Sequence, residues 1–148
     1  MKCTGLAVGL LAAIFGAACS GTPLTAPSAS KANSLLGTWA SVSDAPSTAG
    51  TCANFQWAVT DVSGLTGSGT FSATCFGTLQ VTGTGSGTFA GTSIDWKLNG
   101  TGTGSGTGSC AISASGSASL TSDGGILIPY SGTTCLGPVS GTQIIRKR

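Results

Sequence analysis

The sequence predicts an all-β domain, an antiparallel up-and-down barrel of about eight strands stapled by disulfides. Three observations predict it. From residue 35 onward, apolar residues recur at every second position, the period of a strand with one buried face. Clusters of Gly, Ser, Asn and Asp interrupt that alternation at short intervals, as turns do in sandwiches and barrels. Four cysteines (Cys52, Cys75, Cys110 and Cys135) run through the same stretch at spacings of 23, 35 and 25 residues.

Residues 1–18 read as a secretory leader. Met1-Lys2 gives a small positive start, and residues 6–18 form an uncharged run rich in Leu, Ala, Ile and Phe. The run is too short to cross a bilayer, which takes about 20 apolar residues, and it has the length of a signal-peptide apolar region. Gly16-Ala17-Ala18 is then followed directly by Cys19. This resembles the lipobox of bacterial lipoproteins, with Gly16 where that pattern usually carries Leu. The resemblance implies that Cys19 is diacylated, becomes the mature N-terminus and holds the protein on a membrane. Ser20, standing where an inner-membrane retention Asp would be, implies the outer membrane. Two acyl chains suffice for stable anchoring, at roughly 0.8 kcal/mol per buried methylene. The alternative is an ordinary signal peptide cut after Ala18, leaving a free thiol.

Residues 19–33 carry Pro23 and Pro27 among Ser, Thr and Ala, with no pattern that buries a face, and read as a flexible tether. Residues 34–148 form the domain. Its expected strands are 35–42, 53–62, 70–75, 78–84, 88–98, 109–120, 126–130 and 139–145, with a loop at 43–51. Inward alternation selects Phe55, Trp57 and Val59, then Phe71 and Ala73, then Ile94, Trp96 and Leu98. Sequential hairpins closed on themselves leave no exposed sheet edge.

Two tracts, residues 83–88 and 100–109, alternate Gly with Thr or Ser. No Lys-Ser/Thr or helical pattern follows them, so they are poor phosphate cradles. They read as hairpin ends with outward hydroxyls and inward glycines.

An exported domain of this size pairs its cysteines. A four-thiolate metal site needs close Cys-x-x-Cys pairs, which are absent. A hairpin turning at residues 62–65 with an odd-length loop keeps Phe71 on the face of Trp57 and brings Cys75 beside Cys52. A turn at residues 122–125 sets Cys110 opposite residue 136 or so, beside Cys135. The predicted bridges are therefore Cys52–Cys75 and Cys110–Cys135.

The chain has no His and no Glu, and its net charge is +2. Without His, Ser-His-Asp and Cys-His catalysis are excluded on this chain. A charge so near zero gives no footprint for nucleic acid. Of the four acids, Asp61 and Asp123 are expected in turns, Asp44 in a loop and Asp95 on the wet face, none desolvated enough to become a useful acid. No cofactor, metal or catalytic residue is expected, and the chain reads as a non-enzyme.

The run Pro129-Tyr130-Ser131-Gly132-Thr133-Thr134-Cys135-Leu136-Gly137-Pro138-Val139-Ser140-Gly141-Thr142, with Phe55-Gln56-Trp57 and Phe71-Ser72-Ala73-Thr74-Cys75, resembles a widespread group of small bacterial lipoproteins without assigned function. The resemblance covers most of residues 35–148 and implies a shared fold and export route. More distantly, Gly37-Thr38-Trp39 is similar to the G-x-W opening of lipocalin- and avidin-like barrels. That similarity implies a packing partner for Trp39 in Arg146 or Arg148 of the last strand.

Two functional expectations follow. One is a lipid-anchored envelope barrel that binds a small apolar ligand or lipid among Trp39, Phe55, Trp57, Trp96 and Tyr130. The other is an interaction protein, an adhesin or an inhibitor, with a filled interior and active loops. They differ in whether the inward aromatics line a hole or pack together, and a barrel of eight strands does either.

Overall fold

The computed structural model describes residues 29–43, 45–104 and 108–148. The leader, Cys19, Asp44 and most of the expected tether lie outside the described residues. The elements are α1 (Ala29–Asn33), β1 (Gly37–Ser41), β2 (Cys52–Ser63), β3 (Thr66–Cys75), β4 (Leu79–Ala90), β5 (Ser93–Gly104), β6 (Gly108–Leu120), β7 (Ile126–Thr134) and β8 (Gly137–Lys147). Each strand pairs antiparallel with its neighbour in the chain, and β1 pairs with β8, so the sheet closes into an eight-stranded barrel.

The alternation read from the sequence is the pleat of this wall. Ile94, Ile112, Ala118, Ile126 and Ile145 are buried inside, while the intervening Ser and Thr positions are largely exposed. Burying one such Ile stabilises the fold by about 1.5–3 kcal/mol. A barrel that faces lipid wears the opposite pattern, apolar outside and polar within.

Apart from β1, the strands are longer than the sequence suggests. Residues 83–88 are the middle of β4, not a hairpin end; the turn lies at Gly91, whose φ is 68°. The tract's glycines do face inward: Gly83 abuts the β5 backbone, and the space at Gly85 and Gly87 goes to Trp57 of β2 and to Ile94. A Cβ on Gly87 would stand 3.1 Å from the Trp57 ring. The second tract does border a turn, ending β5 and opening β6; its residues 105–107 lie outside the described residues.

The first hairpin reaches its cysteine register differently from the expected odd loop. Its turn is two residues, 64–65, and two irregularities in β2, between Val59 and Asp61 and between Ala53 and Gln56, each shift the pairing by one. Asn54, at φ 53°, takes up the second, which suits a residue that tolerates the left-handed region. Cys52 then stands directly opposite Cys75, Cα to Cα 4.0 Å, and the two are bonded. Cys110 bonds Cys135 across 5.9 Å, as the β6–β7 register requires.

One stretch of the expected tether is structured. Residues 29–33 form α1, and Ala32 and the following Leu35 are fully buried against the barrel end formed by the β2–β3 turn. Ala32 within α1 and Leu35 in the turn after it are only two buried positions, too few to register as a periodic pattern. Leu35 belongs to this cap rather than to β1, and a Cβ on Gly67 would lie 3.2 Å from it. Trp39 donates its indole N–H to the Leu35 carbonyl at 2.7 Å. Its basic neighbour is Lys147, with Nζ 6.0 Å from the ring centroid, rather than Arg146 or Arg148. The pleat decides this: inward positions of β8 fall on odd numbers, Val139 and Ile145 among them, so 147 turns toward Trp39 and its neighbours turn away.

Candidate functional site

Four of the five aromatics expected to line an interior do so. The barrel holds two small voids. The first, about 50 Å³, lies among Phe55, Trp57, Phe71, Trp96, Ile128 and Ile145. The second, about 40 Å³, shares Phe55, Phe71 and Trp96 and extends past Tyr130 toward the Cys52–Cys75 bridge. The walls of both are almost wholly apolar. Trp39 lines neither; it belongs to the α1 cap. Phe71 and Leu98 join the lining through the same alternation that placed Trp57 and Trp96.

The rings are held by contact and by one polar anchor. Phe55 meets Phe71 edge-on at 5.6 Å between centroids and Tyr130 at 5.1 Å. The Tyr130 hydroxyl accepts the Cys52 N–H at 2.8 Å and donates to the Cys52 carbonyl at 3.1 Å. Gln143 donates to that same carbonyl at 3.2 Å. Because β1 ends at Ser41, Cys52 lies beyond its reach, and these side chains satisfy the edge of β2 that β1 leaves open.

Trp57 and Trp96 are different. Their indole N–H groups are buried with no hydrogen-bond partner among the described residues. Each ring lies against inward glycines: a Cβ on Gly85 would be 3.4 Å from Trp57 Nε1, and one on Gly116 would be 3.0–3.2 Å from the Trp96 ring. An unpaired buried donor costs about 1–3 kcal/mol, so these two indoles are the least satisfied groups of the interior.

The wall beside Trp96 is incomplete. Strands β6 and β7 keep one register, with Ser113 opposite Thr133 and Ala114 opposite Gly132, then Ser119 opposite Leu127 and Leu120 opposite Ile126. Between these two stretches, across residues 115–118 and 128–131, the ladder is interrupted. Pro129, which has no N–H to give, sits in the gap. Gly116 is exposed although its position faces inward, and Trp96 beneath it is only half-buried. The signal for this opening was in the sequence: a Pro inside an alternating strand argues for a broken ladder.

Outside the gap, a hollow of about 440 Å³ is lined by Lys97, Asn99, Ser113, Ser115 and Ser131, and reaches the inward residues Leu98 and Ala114. It therefore spans β5, β6 and β7. Among the described residues Lys97 has no ion-pair partner.

The acids do not gather. Asp61 is an exposed residue of β2 rather than of a turn, and Asp95 is exposed on β5. Asp123 is in the β6–β7 turn, accepts hydrogen bonds from Thr121 Oγ1 and the Gly125 N–H, and pairs with Arg146. Those partners, Thr121 foremost, hold its carboxyl below the ordinary carboxylate range. Among the described residues no three potential metal ligands come together.

No family model matches the chain, and neither a curated protein nor a solved structure matches it.

Proposed function

We propose that this chain is a lipoprotein of the bacterial cell envelope, acylated at Cys19 and held at the outer membrane, whose barrel binds a small apolar ligand. The supporting observation is the pair of apolar voids between Phe55, Trp57, Trp96 and Tyr130. Burial of a few methylenes there, at about 0.8 kcal/mol each, would supply the affinity. The proposal assigns no catalytic step and no cofactor to the chain, in keeping with the absence of His and Glu.

The deciding experiment is native mass spectrometry of protein extracted gently from its own cells, followed by an intact mass without reductant. The expected result is loss of residues 1–18, an added lipid mass and a further non-covalent adduct. An unlipidated Cys19 would overturn the anchor. Cys19→Ser is expected to release the protein from the membrane fraction.

A second reading rests on the size of the voids. Each is well below the roughly 150 Å³ that admits a benzene ring, which favours a filled scaffold acting on an envelope partner. Three hairpin turns are too short to act, two residues each at 64–65, 91–92 and 135–136. On this reading the β1–β2 loop and the hydroxyl-covered wall would carry binding. No adduct, with partner binding lost on loop substitution, would select it.

A further inference from the structure

We propose that the interrupted seam between β6 and β7 is the entry to the interior, and that it admits an anionic single-chain amphiphile. The alkyl chain displaces the Trp96 indole and follows the two voids, while the anionic head stays outside against Lys97. This rests on the reading of the interior as a ligand site and names the ligand class and its path.

Three features carry it. The seam is a stretch where the wall lacks its ladder, and an inward glycine, Gly116, is exposed there. A stretch of wall without a continuous ladder opens at lower cost than one with it. The group that closes it, Trp96, already has a half-buried ring and an unpartnered N–H, so turning it outward breaks no hydrogen bond.

The shape of the interior selects a chain. Two voids of about 50 and 40 Å³ share Phe55, Phe71 and Trp96, and run from the Ile145 side to the disulfide side. A rigid ring fits neither, whereas the terminal methylenes of a flexible chain enter both once Trp96 has moved. The walls offer almost nothing polar, so a polar head cannot follow the chain inward.

The outside of the seam selects the head. The hollow across β5, β6 and β7 presents Lys97 with Asn99, Ser113, Ser115 and Ser131. Asp95 lines the adjoining hollow over the seam together with Trp96, Lys97, Ser115 and Gly116, so its charge repels an anionic head there and the head turns to the Asn99 side of Lys97. A carboxylate and a phosphate monoester share the chemistry required: an oxyanion for the ammonium and acceptors for the hydroxyls.

The test uses the full purified chain and tryptophan quenching by dibromostearate, with its methyl ester and a brominated monoacyl phosphatidate as comparison probes. Trp39, under α1 and away from both voids, serves as the unquenched reference. By the register on either side of the gap, Ser117 stands opposite Pro129. A Ser117→Cys/Pro129→Cys pair, oxidised, staples the seam, and the two single variants and an unchanged near-UV spectrum control for folding.

Dibromostearate is expected to quench Trp96 and Trp57 in the native chain and both single variants, and not in the stapled one. Lys97→Gln is expected to weaken the acid about tenfold and leave the ester unchanged. Tighter binding of stearate than of phosphatidate identifies a fatty acid, and the reverse identifies a phosphate lipid. Equal quenching with and without the staple overturns the seam while leaving the interior site standing. Acid and ester weakened alike by Lys97→Gln overturn the head site. No quenching by any probe overturns the interior site itself.

Discussion

Trp96 stands opposite Gly116 in the β5–β6 register, and its ring occupies the space that a side chain at 116 would need. The same relation recurs where Tyr130 faces Gly141 across β7 and β8, with the phenol 2.6–3.1 Å from the Cβ position. The interior is thus shared between large rings and missing side chains on the next strand, which is how a small closed barrel accommodates aromatics at all.

Gly116→Ala places a rigid methyl 3.0 Å from the Trp96 ring. Overpacking of this kind costs typically 1–3 kcal/mol. The variant is expected to unfold at lower urea concentration, with changed tryptophan emission in the native state. In a Trp96→Ala background the penalty is expected to vanish. The same penalty in both backgrounds would place its cause in the backbone and not in the ring.

Tyr130→Phe removes the acceptor for the Cys52 N–H while leaving Gln143 on the Cys52 carbonyl. A buried donor left unpaired costs about 1–3 kcal/mol. Urea midpoints give the loss of stability, and amide exchange at Cys52 is expected to accelerate with it. Unchanged exchange would mean that this hydroxyl does not hold the end of β2.

Much of this fold was legible in the sequence, for a physical reason. A period of two, read through Phe55-Gln56-Trp57 or Ile94-Asp95-Trp96, is a local property of the chain and needs no knowledge of neighbours. Closure and the Cys110–Cys135 bridge follow from register once the hairpins are taken in order, whereas Cys52 meets Cys75 through two irregularities in β2 in place of the expected odd loop. What escaped depends on partners distant in sequence. Residues 83–88 look like a turn because glycine usually breaks strands; the β5 backbone against Gly83 and the Trp57 ring against Gly85 and Gly87 explain why they extend one. The α1 cap rests on two buried residues, Ala32 and Leu35, and its face exists only against the barrel end. Pro129 hints at a broken ladder, but which partner strand it parts from is seen only where the β6–β7 pairing stops.

The two disulfides are expected to differ in accessibility rather than in worth. They close separations of 23 and 25 residues, and each contributes about 3 kcal/mol through the lost entropy of the unfolded chain. Cys135 is exposed, so Cys110→Ala leaves a thiol that alkylates at once in the folded protein. Cys75 is 3% exposed, so Cys52→Ala leaves a thiol that alkylates only as the domain opens. Iodoacetamide labelling followed by mass mapping separates the two. Labelling of Cys52 or Cys75 in the Cys110→Ala protein would contradict the pairing.

The turn closing β6 onto β7 carries the pH dependence that the structure predicts. Asp123 has its carboxyl held below the ordinary value chiefly by the Thr121 hydroxyl, then by the Gly125 N–H, with Arg146 a lesser aid. A carboxyl depressed in the folded state contributes stability that is fully present above its unfolded value, near 3.9, and is lost as pH falls through the folded one. The thermal midpoint of the native chain is therefore expected to decline on acidification below about pH 4, and that of Asp123→Asn to decline less over the same interval. The group is exposed, so the difference is small and the carboxyl titration followed by NMR is the sharper measurement. Thr121→Val is expected to raise the Asp123 midpoint more than Arg146→Gln does. The opposite order would make the ion pair, and not the hydroxyl, the group that holds the turn.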